Sequence, residues 1–293
     1  MATPTGHKGL IDLPVDALVQ AAPNLHCLCL GSTEYDASRL SFPTAPLINL
    51  RRLFFDVSCN LHSTLLTEIV SNAPKLEFLA LHWAGFTRMY EMRFHSGEAV
   101  VRCTTGVWDV IQTCRDSLRE LRVHISDYIK SKVPEERDSP RDFRRLEVLK
   151  LNDHALSALY DAWKKKNRYT GEPDSFLSSI LPPMIREVTF WDLKGLAMRA
   201  AMQSFARVAA FGPFRYLEKV TVAPSEAKYG PNSPWYNWRT WADVEAELEE
   251  NFTKAGASFE LVKSDQVIIW GWDFRLDPVL YLARSGLSLS GCL

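Results

Sequence analysis

Asp56, His82, His124 and Asn152 each close a seven-residue stretch of the same build: "LRRLFFD", "LEFLALH", "LRELRVH" and "LEVLKLN". Two imidazoles and a carboxylate are the ligand types that hold zinc, and a carboxylate beside an imidazole can also exchange a proton. If the four stretches are neighbouring strands, about 4.8 Å apart, their last residues form a row that could share a metal ion or a proton. This gives one candidate activity, a metal-dependent enzyme using Asp56, His82 and His124. Polar residues on an exposed sheet need no such reason, however, and function has to be argued from site geometry. The chain carries no G-x-S-x-G elbow, no phosphate loop of the G-x-x-x-x-G-K type, no G-x-G-x-x-G and no H-E-x-x-H. A non-enzymatic protein without a cofactor is the preferred reading.

The elements that would position these residues are written as repeats. "LVQAAPNLHCLCL" (Leu18 to Leu30) returns as "IVSNAPKLEFLAL" (Ile69 to Leu81), 51 residues later. The first half of this unit has aliphatic residues at helical spacing. Pro23 or Pro74 then stops the helix, because the residue before a proline is pushed out of the α region. The second half, L-x-x-L-x-L, puts its last two leucines on one side of an extended strand. The pattern occurs seven times, starting at Leu25, Leu50, Leu76, Leu118, Leu146, Ile185 and Leu217, at intervals of 25, 26, 42, 28, 39 and 32 residues. A degraded eighth copy begins at Phe259, where a terminal hairpin is an equal alternative. Helical periodicity lies between copies in "STLLTEIVSNA", "TGVWDVIQTC" and "GLAMRAAMQSFARVAAFG". It also follows Thr240, which with Asp243 resembles a capping box, through Trp241, Val244, Leu248 and Phe252 to Gly256.

The order strand, helix, strand, helix predicts an α/β fold of stacked units, with a parallel sheet on the concave side and helices on the convex side. The shorter intervals suit leucine-rich repeats of about 20–29 residues, and the longer ones carry insertions. The L-x-x-L-x-L strands, Ala-Pro helix stops and long insertions resemble the leucine-rich-repeat region of fungal F-box-type proteins, over Leu10 to Val222. The resemblance implies a horseshoe solenoid and a role like that of a ubiquitin-ligase substrate receptor, in which an F-box docks on a Skp1-type adaptor and the repeats hold the protein to be modified. Leu13-Pro14 has the look of an F-box opening. The twelve residues from Leu13 to Asn24 are too few for a three-helix module, since one helix averages about 11–12 residues. They read as the helix of the first repeat, and adaptor binding is not expected. Residues 1–223 are thus read as irregular repeats and 224–293 as a C-terminal repeat or cap, with Trp241 and Trp270 buried.

With the leucines turned to the core, the alternating strand positions face the concave side. The residues expected to meet a protein partner there are Arg52, Phe54, Phe78, His82, Arg122, His124, Lys150 and Trp191, aromatic anchors among polar groups, with cover of Phe54 and Phe78 by an insertion loop as an equal alternative. Insertions offer further surface, "RMYEMRFHSGEAVVRC" as a projecting hairpin, whereas the aromatic loop "KYGPNSPWYNWRTW" reads more readily as a small core or cap folded back on the end of the array than as a contact surface. Lys+Arg 34 against Asp+Glu 35 gives a net charge of −1, and the cluster in "WKKKNRYTGEP" reads as a solvated helix end, so no nucleic-acid partner is expected. The six cysteines follow no metal-ligand spacing and read as free thiols in a reducing compartment. No stretch reaches about 18 consecutive apolar residues, and the first residues have no signal-peptide core. An intracellular protein, cytoplasmic or nuclear, without membrane contact is expected.

Overall fold

The computed structural model describes residues 24–30, 46–55, 69–83, 111–125, 139–167, 175–193, 196–224 and 237–262. Eight strands form one open sheet: β1 (Cys27–Leu30), β2 (Arg52–Phe55), β3 (Phe78–Trp83), β4 (Glu120–Ile125), β5 (Val148–Asn152), β6 (Glu187–Leu193), β7 (Lys219–Pro224) and β8 (Ser258–Leu261). They lie side by side in chain order, and every pair is parallel. Each strand therefore neighbours only the ones before and after it in sequence. The seven predicted strands are all present. β8 adds as an eighth parallel strand with Phe259 beside Val220, and the residues that would complete a terminal hairpin lie outside those described.

The leucine pattern sets the register. Leu28, Leu53, Leu79, Leu121, Leu149, Val188 and Val220 stand opposite one another along the sheet, and all are buried in one continuous core. The first leucine of each unit precedes its strand and closes a turn: Leu50, Leu76, Ile185 and Leu217 donate their backbone N–H to the carbonyls of Leu47, Ala73, Pro182 and Phe214. The segment 69–71 is helical, and the chain turns at Pro74 as the Ala-Pro stop predicts.

The register survives intervals from 25 to 42 residues because the residue before each strand acts as a clamp. The carbonyl of Arg51 accepts N–H groups from both Glu77 and Phe78, and those of Glu77, Arg119, Glu147 and Arg186 do the same for the next unit. These clamp residues run Arg51, Glu77, Arg119, Glu147, Arg186, Glu218, with the charge changing sign at every step. Arg51 meets Glu77 at 2.5 Å, Arg119 meets Glu147 at 3.7 Å, and Arg186 pairs with Glu218.

Four α-helices have both ends within the described residues: α1 (Asp153–Lys166), α2 (Phe176–Ile180), α3 (Leu196–Ala210) and α4 (Asn237–Lys254). Their apolar residues join the leucine core. Ala155, Leu156 and Leu159 of α1, Met198, Ala201, Met202 and Phe205 of α3, and Trp241, Val244, Leu248 and Phe252 of α4 all belong to it. Tyr160 and Trp163 of α1 hold Phe176 edge-on, with ring centroids 5.1 and 5.7 Å away. α4 begins at Asn237, ahead of the Thr240 cap that the sequence suggests, because the aromatic loop supplies helical residues before the first apolar one. It ends as predicted at Gly256, whose φ of +80° suits glycine. Trp241 is buried, whereas Trp270 lies outside the described residues. No helix among the described residues is long and apolar enough to cross a membrane.

Candidate functional site

All-parallel sheets are ordinarily covered on both faces. Here the described helices share the leucine core, and the opposite face of the sheet carries side chains that stay outside it. Along that face, Cys27, Arg52, Phe78, Glu120, Val148, Glu187, Lys219 and Ser258 form one row, and Cys29, Phe54, Ala80, Arg122, Lys150, Thr189, Thr221 and Glu260 the next. In β4 the alternation is complete, with Glu120, Arg122 and His124 half-buried and Leu121, Val123 and Ile125 buried.

Five of these residues make one cluster. Arg52 stands directly opposite Phe78, and Phe54 and Arg122 stand on either side of Ala80. The small alanine leaves room, so the Phe54 ring leans diagonally onto Phe78 with centroids 4.6 Å apart at 38°. The Arg52 guanidinium lies 4.9 Å from the Phe78 centroid and 5.5 Å from that of Phe54, and the Arg122 guanidinium covers Phe78 from the other side at 5.1 Å. Phe78 is consequently 4% exposed, while Phe54 is half-buried and Arg52 exposed.

The two arginines are in different electrical states. Arg122 is neutralised by its own strand neighbour Glu120, with Nη2 2.5 Å from Oε1 and Nε at 2.7 Å. The Arg52 guanidinium takes part in no ion pair or hydrogen bond among the described residues and rests on the two rings alone. Lys150, opposite Arg122 on β5, has its pKa lowered by burial and then by Arg122. Farther along, Lys219 is paired with Glu260 at 2.9 Å.

The row of possible metal ligands is brought together only in part. His82 stands opposite His124 across β3 and β4. Asp56 and the side chain of His82 lie outside the described residues, among which no group of three His, Cys, Asp or Glu could hold a metal. The fourth member, Asn152, does something else. Its side chain is fully buried, Oδ1 accepts from the backbone N–H of Ile125 (3.0 Å) and of Ala155 (3.1 Å), and Nδ2 donates to the Ile125 carbonyl (2.7 Å). Asn152 therefore ties the end of β4 to β5 and caps α1 in the same stroke.

Trp191 also corrects the sequence reading. It sits on the expected face but is 2% exposed, with its ring 6.2 Å from His124, so it is a wall of the sheet face and offers no surface to a partner. Immediately after it Asp192 has a φ of 56° and the pairing with β7 slips. That bulge returns Leu193 to the core. The proposed hairpin at 88–103 lies outside the described residues, as does the aromatic loop up to residue 236. Cys114 is a buried free thiol.

That Arg52 has no carboxylate partner among the described residues was invisible to the sequence, because Glu120 is taken up by Arg122. The clamp residues were legible but missed: each follows the first leucine of its unit, where alternating Arg and Glu could have been read. Compared with known protein families and with curated proteins, the chain matches none.

Proposed function

We propose that this chain is a non-enzymatic interaction scaffold, a solenoid of leucine-rich-repeat type that holds a protein partner against the face of its sheet opposite the described helices. The observation that carries it is the Arg52–Phe54–Phe78 cluster, an exposed guanidinium and a half-buried ring fixed on a rigid sheet. Aromatic and arginine anchors ringed by polar groups are what protein interfaces use. A role like that of a ubiquitin-ligase substrate receptor fits such a face, with the partner as the protein to be modified. Affinity capture with the full chain tests the reading. Arg52→Glu combined with Phe54→Ser should abolish recovery of a partner while leaving the thermal transition in place, since neither side chain belongs to the leucine core. Unchanged capture by the double variant would refute the face as the binding surface.

One observation favours a metal-dependent alternative, the placement of His82 opposite His124. Elemental analysis of protein purified without added metal separates the two. Near-stoichiometric zinc that disappears in His82→Ala and in His124→Ala would replace the scaffold reading.

A further inference from the structure

The same face says what kind of group it would take. A guanidinium has two recognition surfaces: a flat face that stacks on aromatic rings, and an edge whose N–H groups match both oxygens of a carboxylate. In Arg52 the guanidinium lies over the Phe78 and Phe54 rings, 4.9 and 5.5 Å from their centroids, which restrains the side chain before any ligand arrives. Ordering that side chain is normally a cost of binding, and here the rings have already met it. Nearby, Arg122 is cancelled by Glu120, while Lys150 stands next to Arg122. Phe54, half-buried beside the edge, offers an apolar contact to whatever adjoins the anion.

Resting on the scaffold reading above, we propose that Arg52 is the specificity-determining residue of this face and receives an Asp or Glu side chain of the partner, with an adjacent aliphatic or aromatic residue packed on Phe54. A polyanion fits poorly. Nucleic acid binds through many phosphate contacts at once, whereas on this face Arg122 and Lys219 are already paired with Glu120 and Glu260, Glu187 adds a further carboxylate, and among the described residues Arg52 alone offers a guanidinium without one. An open sheet surface also suits an extended segment better than an enclosed small molecule.

Panning a displayed library of random short peptides against the full chain tests this. Selected peptides should be enriched in Asp or Glu next to an apolar residue. A selected peptide should lose about tenfold in affinity, equivalent to about 1.4 kcal/mol, when its acid is replaced by the amide. The loss should be similar when the chain carries Arg52→Gln. On that variant acid and amide peptides should bind alike, which shows that the two groups meet. Arg52→Lys should restore less than half of the loss, since an ammonium neither stacks flat nor binds two oxygens. Arg144→Gln, at an exposed site before β5, should change nothing. Peptides that bind through Phe54 but show no preference for acid over amide would overturn the anion assignment and leave the scaffold reading intact. A thymidine oligonucleotide that binds as tightly through Arg52 would overturn it as well. A library that yields no binder sensitive to Arg52 or Phe54 would overturn both.

Discussion

At the scale of single residues, chemistry depends on which partner reaches a side chain first. Asn152 shares its sequence position with two histidines and an aspartate, yet its amide is consumed by the backbone of Ile125 and Ala155. Its place at the start of α1 could have been read from "LNDHALSALY", since Asn followed by Asp is a common helix opening. Asn152→Ala should cost about 2–4 kcal/mol, a lost cap plus two buried backbone groups left without partners, measured as a shift in the urea midpoint. Asn152→Asp should cost more at pH 8 than at pH 5, because the carboxylate cannot donate to the Ile125 carbonyl and would be charged in a dry site. Cys114 shows burial deciding reactivity. Its thiol is pushed from 9.0 up to about 12 by desolvation, against a smaller opposing hydrogen bond to the backbone. Mass mapping after alkylation of the native protein at pH 7 should find Cys114 unmodified and the half-exposed Cys27 labelled. The folded thiol keeps its proton where the unfolded one would lose it, so its contribution to stability is complete below pH 9 and falls as the pH rises toward 12. Cys114→Ala should flatten that part of the stability curve.

The strands were the most legible elements, because two same-side leucines and a turn residue leave little choice of register. Helix edges were harder: nothing in "WYNWRTW" told Asn237 from Thr240 as a start, since every residue there can enter a first turn. The clamp residues join one element to the next. Each exposed Arg–Glu pair contributes little alone, about 0–1 kcal/mol, but alternation lets each of the four interior charges lie between two opposite ones. Arg119→Glu would place a carboxylate between Glu77 and Glu147, its neighbours in the clamp ladder. Its cost should be about 1 kcal/mol at low salt and should shrink markedly at ~1 M salt. Equal destabilisation at both ionic strengths would show that the alternation has no electrostatic role.

For the molecule as a whole, sequential order makes the core a chain of neighbour contacts, and its ends are the places where a missing neighbour is felt. At the C-terminal end, Phe252 of α4 packs edge-on to Phe205 at 5.5 Å and stacks on Phe259 of β8 at 5.6 Å. The aromatic content after residue 224 made this closure legible, although which side of the sheet received it required the structure. Phe252→Ala should cost about 3–5 kcal/mol by urea unfolding, and truncation before Ser258 should lower the melting temperature of the last repeats. A truncated chain that melts like the intact one would make the closing strand dispensable. The same sequential sheet has a mechanical consequence. Its hydrogen bonds run from the first strand toward the last, so a pull on the two ends of the sheet loads the interfaces in line and opens them one after another, as tape is peeled. Each opening would release the residues between two successive strands, and at about 3.5 Å per residue the 26 from Leu50 to Leu76 become about 90 Å of slack and the 39 from Leu146 to Ile185 about 140 Å. The uneven spacing of the repeats would then be written as uneven step lengths in a force trace.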